Sequence, residues 1–193
     1  MTAAATPDPR IIELENELRD VHARAHAAEH RVGRLAQLVA VASEMHAAPD
    51  EGAVIDIIKE TVANLVGCEH LAIYRAGAPE ADLVLVDSIG VNALDFATLP
   101  VNVPGVAHAV RERTAQFHRP AAPSWSVRGR PITACLPLVR QGVVEGCVVL
   151  FELLVQKPAL VPDDEVLLAF LALHAASALG RGAPTLRWPD PAA

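Results

Sequence analysis

Three groups of side chains in this chain have the types and spacing that chemistry requires. The first is His26-Ala27-Ala28-Glu29-His30. Histidines four apart share one face of a helix, where they can hold a divalent metal, and a glutamate beside them can act as a general base for hydrolysis. The second is the pair Cys135 and Cys147, set in two apolar runs on either side of a glycine turn. The third is a run of cations, Arg111, Arg113, His118, Arg119, Arg128 and Arg130, against the single carboxylate Glu112. Guanidinium forks match carboxylates and phosphates, so this run suits an anionic ligand or an acidic partner surface.

Each group also has a plainer explanation. Ala28 falls on the apolar seam of its helix, which turns His26 and His30 outward. With His22 they form an i, i+4, i+8 stripe, the pattern of a solvated face with no pocket to exclude water, so no metal is expected there. For the thiols the turn decides. A three-residue turn at Arg140–Gly142 would set Cys135 directly opposite Cys147 on neighbouring strands, within reach of oxidation, whereas a two-residue turn would shift the register and separate them. Otherwise they are two small core residues, because free cysteine packs as a small hydrophobe. Cys68 stands far from both and no CxxC occurs, so neither a zinc ribbon nor a disulfide framework is indicated. The cationic run, in turn, can be a solvated loop.

The elements that must position these groups are legible from periodicity. Ile11, Leu14, Leu18, Val21, Ala25, Ala28, Val32, Leu35, Val39 and Ala42 alternate spacings of three and four, the a and d positions of a heptad repeat. With Ile11 at an a position, Arg10 with Glu15 and Arg24 with Glu29 become attractive pairs across a parallel dimer. The seam therefore predicts a coiled-coil homodimer, with Ile11, Leu14, Leu18, Val21, Val32, Leu35 and Val39 at the interface. The competing arrangement is one long helix laid on its own domain. Ala25 and Ala28 weaken the seam, and Gly33 costs about 1 kcal/mol of helix propensity.

Beyond Pro49-Asp50-Glu51, a break and a fresh helix start, Val54, Ile57, Ile58, Val62, Leu65 and Val66 have helical spacing up to Gly67. Strands are predicted at His70–Arg75, Leu83–Ile89 and Gln116–His118, a helix over Ala107–Arg113, and a hairpin from Ile132–Val139 to Val143–Phe151. Pro162-Asp163-Asp164-Glu165 opens a last helix to Leu179, acids being favoured at a helix N-terminus. The fold class is α+β: a central antiparallel sheet flanked by helices and preceded by a long coiled-coil helix. The expected division is a disordered leader (1–9), a coiled-coil helix (10–46), a sheet domain (47–180) and a Pro-rich disordered tail (181–193) that carries Trp188.

Composition narrows the function classes. A net charge of −7 argues against general nucleic-acid binding, which needs a basic surface. No apolar run of about 18 residues exists to span a membrane, and the first residues lack the basic start and apolar core of a secretory signal. A cytoplasmic protein is expected. All basic residues except Lys59 and Lys157 are Arg, and Ala is abundant, a bias that fits a GC-rich bacterial genome.

Val103-Pro104-Gly105-Val106-Ala107, Leu136-Pro137-Leu138, Gly146-Cys147-Val148-Val149-Leu150 and Pro162-Asp163-Asp164-Glu165, in that order and spacing, resemble GAF domains from about Leu35 to Leu179. The resemblance implies first and last helices on one sheet face, often in a dimeric bundle. It also implies a ligand pocket on the other face, roofed by the middle helix and loops. It sets Arg119, Arg128 and Arg130 at the pocket rim and makes Tyr74, Phe117 and Trp125 candidate contacts. The short connection Pro120–Pro131 implies a small or closed pocket.

The sequence departs from several branches of the family. The Asn-Lys…Phe…Asp-Glu signature of cyclic-nucleotide binders is missing, no cysteine is placed for a bilin, and a lone His108 or His118 does not make a haem site. The glycine- and cysteine-rich motif of the members that reduce free methionine sulfoxide is also missing. No cofactor is therefore expected. The reading is a stand-alone, non-catalytic, dimeric regulatory or scaffolding module of bacterial signalling that acts through protein contacts. The alternatives are a sensor of a small anionic ligand and a thiol redox switch or reductase at Cys135 and Cys147.

Overall fold

The structure, a computed structural model, describes residues 9–77, 81–119 and 124–179. The expected leader up to Asp8 and the expected tail with Trp188 lie outside the described residues, as do the side chains of Ile11, Leu14, Glu15 and His30. The chain divides after Ala40 into two compact units.

The first unit is helical. Helix α1 runs Pro9–Ala47, with proline at its first position, where the missing N–H costs nothing. Its predicted seam residues Leu18, Val21, Val32, Leu35 and Val39 are between 56% and 66% exposed in the single chain. His26 lies 3.6 Å from Glu29, both solvated.

The second unit is an α+β sandwich. Ala42 and Met45, near the end of α1, are buried in it. Helix α2 (Glu51–Thr61) begins at Asp50, whose carboxylate accepts from the Ala53 N–H at 2.9 Å; such a cap is worth about 1 kcal/mol. A π turn, Val62–Val66, ends at Gly67. Strands β1 (Cys68–Arg75), β2 (Leu83–Ile89) and β3 (Thr98–Leu99) follow, then helix α3 (Pro104–Glu112) and strand β4 (Gln116–Phe117). A short hairpin pairs β5 (Ser126–Val127) with β6 (Arg130–Pro131), and β7 (Ala134–Arg140), β8 (Val143–Leu153) and α4 (Pro162–Leu179) complete the chain. The main sheet has the order β3-β2-β1-β8-β7-β4, and every pairing in it is antiparallel. Among the described residues no helix is long and apolar enough to cross a membrane.

Alternation along the strands gives the sheet two apolar faces. Leu71, Leu150 and Ala134 form one cross-strand row, and Ile73, Val148 and Leu136 the next. All are buried, under α2 and α4. Each fully buried Leu or Ile there contributes about 1.5–3 kcal/mol. Lys157 and Asp164, 2.7 Å apart, tie the loop before α4 to its first turn, where the Asp164 carboxylate also accepts from the Val161 N–H.

The β7–β8 hairpin corrects the expected register. Its turn has two residues, Gln141 (φ 51°) and Gly142 (φ 78°), between the paired Arg140 and Val143. Positive φ at both central residues matches the right-handed strand twist. A bulge then leaves Glu145 without a partner on β7, so that Leu138 pairs with Gly146 and Pro137 with Cys147. The Glu145 carbonyl instead accepts from the Ala76 N–H at 2.9 Å. Cys135 pairs with Val149, not with Cys147. A two-residue turn alone would have put the thiols on opposite faces; the bulge restores the parity and keeps them together.

Candidate functional site

The sheet face opposite α2 and α4 is filled by the chain itself. Ala72 and Tyr74 of β1, Cys135 of β7 and Cys147, Val149 and Phe151 of β8 form one apolar cluster with Val106, Ala109 and Val110 of α3. Gly105, at the start of α3, permits the closest approach: a Cβ there would lie 2.3 Å from the indole of Trp125. The indole packs against this cluster, edge-on to His118 at 5.4 Å. Phe96 meets Phe151 edge-on at 5.3 Å. The Arg130 guanidinium stands 5.9 Å from the Phe96 ring centre and donates to the Gly90 carbonyl at 3.4 Å.

Tyr74 sits at the bottom of this layer, 1% exposed. Its hydroxyl has no hydrogen-bond partner among the described residues. Burial is the main cause that pushes the phenol pKa well up, Cys147 adds to it, and Arg128 partly offsets it. Among the described residues, the three candidate pocket contacts do not line one common space. Tyr74 and Trp125 fill the α3 face, whereas Phe117 lines a separate cleft.

That cleft has a volume of about 430 Å³ and is lined by Phe117, His118, Arg119, Thr133, Lys157 and Glu165 among others. It lies where β4 and the end of β8 meet the loop before α4. Arg119 crosses to Glu165 in the first turn of α4, with Nη1 to Oε1 at 2.5 Å and Nη2 to Oε2 at 2.9 Å. Both carboxylate oxygens occupy the guanidinium fork that an anionic ligand would need. The predicted cationic run is thus dispersed: Arg119 faces this cleft, Arg130 lies over Phe96, and Arg128 holds a left-handed conformation (φ 51°) in the β5–β6 turn.

The thiols do come together. Cys135 Sγ and Cys147 Sγ are 3.0 Å apart, both fully buried. That is longer than the S–S bond of about 2.05 Å, so they stand as a free pair. Their hydrogen bond, then burial, pushes the Cys135 thiol well up. Cys68, buried at the start of β1, donates to the carbonyls of His70 and Glu152 at 3.3 and 3.4 Å. Burial raises it to about 12, partly offset by backbone hydrogen bonds at His70 and Phe151.

Sequence reasoning missed Phe96 and the β5–β6 hairpin. The available signals were the lone aromatic of the stretch Asn92–Thr98 and the Arg128-Gly129 turn. Pairing Arg119 with Glu165 needed the fold, because those residues are far apart in the chain.

No protein-family model matches the chain, and no curated protein does. Among solved structures it is similar to the GAF domain of a phosphoenolpyruvate-protein phosphotransferase from Coxiella burnetii, at 20% identity and TM-score 0.60, over 76% of this chain and 92% of that one. It is also similar to a GAF domain/HD domain protein from Geobacter sulfurreducens, at 19% identity and TM-score 0.55, over 67% and 92%. A third similar structure is free methionine-R-sulfoxide reductase from Neisseria meningitidis in complex with its substrate, at 17% identity and TM-score 0.56, over 74% and 85%.

Proposed function

From the GAF fold that this chain adopts, we propose that it is a non-catalytic regulatory module, dimeric through α1, that acts by contacts with a partner protein. The observation that carries this reading is the filled sheet face. Trp125, Phe96 and Tyr74 occupy, together with α3, the side on which a ligand would be expected. Among the described residues, the seam of α1 is instead open, with Leu18, Val21, Val32, Leu35 and Val39 exposed in the single chain. A long helix in water draws most of its stability from packing an apolar face, and a second copy in parallel supplies that packing in register.

Light scattering tests it. The chain should have twice its monomer mass, and Leu18→Glu with Val39→Glu should give the monomer mass while the sheet domain stays folded. A dimer that persists in the double variant would move the interface elsewhere, and a monomeric parent chain would end this reading.

The cleft of about 430 Å³ favours a second reading, a small-molecule sensor, because its size suits a small ligand. Its occupant would have to separate Glu165 from Arg119 or bind beside the pair. A native mass spectrum of the same dimer decides between the readings: a reproducible added mass supports the sensor, and the bare dimer supports the adaptor.

A further inference from the structure

The last turn of α1 and the middle of α4 bring two imidazoles together away from the sheet. His46 Nε2 lies 3.0 Å from His174 Nδ1, with the rings at 77° and their centres 5.3 Å apart. Phe170, one turn earlier on α4, packs on His174 at 4.2 Å and fixes the orientation of that ring. His46 is exposed and His174 half-buried.

Two nitrogens facing each other at this distance have a second use besides sharing a proton. In a tetrahedral zinc site with Zn–N bonds of about 2.0–2.1 Å, neighbouring nitrogens are about 3.3 Å apart. The observed 3.0 Å is close to that spacing. Among the described residues, no group of three or more His, Cys, Asp or Glu is placed to hold a metal. One chain therefore supplies two ligands, and a closed site needs four.

The heptad count indicates where the other two come from. His46 follows Val39 by seven residues and is the next a position of the seam, where the side chains of both copies meet across a parallel dimer axis. The α4 surface beside it is also open: Val166 is 63% exposed and Leu173 61%.

We propose that His46 and His174 from each of two copies hold one divalent cation of the zinc class, in a four-imidazole site that joins the last turn of α1 to α4 across the dimer. This rests on the parallel α1 dimer proposed above. Such a site would make the geometry between the first and last helices responsive to metal.

The test uses the untagged full chain, stripped with a chelator and titrated with Co²⁺ and then Zn²⁺. The expected result is one Co²⁺ per two chains, with the intense visible bands of tetrahedral cobalt, displaced by one Zn²⁺. His46→Gln and His174→Gln should each weaken binding at least tenfold. His22→Gln with His26→Gln, on the outer face of α1, should leave it unchanged. Weak octahedral cobalt bands, one metal per chain, or full affinity in His46→Gln or His174→Gln would overturn the site. Light scattering on the same samples separates the two readings. A dimer without this stoichiometry refutes the site alone, whereas a chain monomeric both with and without Zn²⁺ refutes the dimer and the site with it.

Discussion

A thiol attacks only as thiolate, and a raised pKa withholds that form. The geometry places Cys135 and Cys147 in contact, as a redox device requires, but it does so at the bottom of the α3 face, where both are fully buried and Cys135 is pushed well up. Cys68 is held up at about 12. All three cysteines should therefore resist an aromatic disulfide reagent in the folded protein and react together once it is unfolded in guanidinium. A fast native phase of two thiols would return the pair to candidacy as a redox switch.

His174 makes a prediction of the opposite kind, because its folded pKa is shifted in a direction that links stability to pH. Its folded pKa is lowered by burial and by His46, so the unfolded chain binds more protons between that value and about 6.5. The contribution to stability is complete above about 6.5 and is lost as pH falls through the folded pKa. In chelator, His174→Gln should flatten the decline in unfolding free energy on this acidic side. An unchanged slope would assign the decline to other groups.

Between residue and fold, the β7–β8 hairpin separates what a sequence states from what it withholds. Apolar runs on both sides of Gly142 made the strands and their end readable, and Asp50 and Pro162 marked helix starts that the structure contains. The turn length was not readable, because Gln141 takes a left-handed conformation (φ 51°) that Asn or Gly would have announced. The bulge was hidden for a different reason. Glu145 is held by the Ala76 N–H of a strand remote in sequence, and no local pattern encodes that bond. The same holds for Arg119 and Glu165, and for His46 and His174. Much of the fold was thus legible, while the site was not, since its pairs form only when distant elements meet. The turn offers its own check: Gln141→Asn should stabilise the chain by about 0.5–1 kcal/mol, since Asn-Gly is the preferred pair for this turn. A loss of stability in denaturant titration would mean that the Gln141 side chain has a role that its geometry does not reveal.

For the molecule as a whole, the two units draw their stability from different sources. The sheet unit has two buried apolar faces and needs no second copy to fill them. The helix before Ala40 has no such core, and its seam is exposed in the single chain. If that seam is covered by a second copy, its helicity is governed by mass action, whereas the sheet unit is not. Each tenfold dilution costs the association about 1.4 kcal/mol, so a thousandfold dilution costs about 4 kcal/mol. Thermal melts followed by far-UV circular dichroism should then show an early helical transition whose midpoint falls with dilution. A later transition, followed by the burial of Trp125 beneath the start of α3, should keep its midpoint. One concentration-independent transition would mean that α1 is stabilised within its own chain and that the dimer is not what holds it.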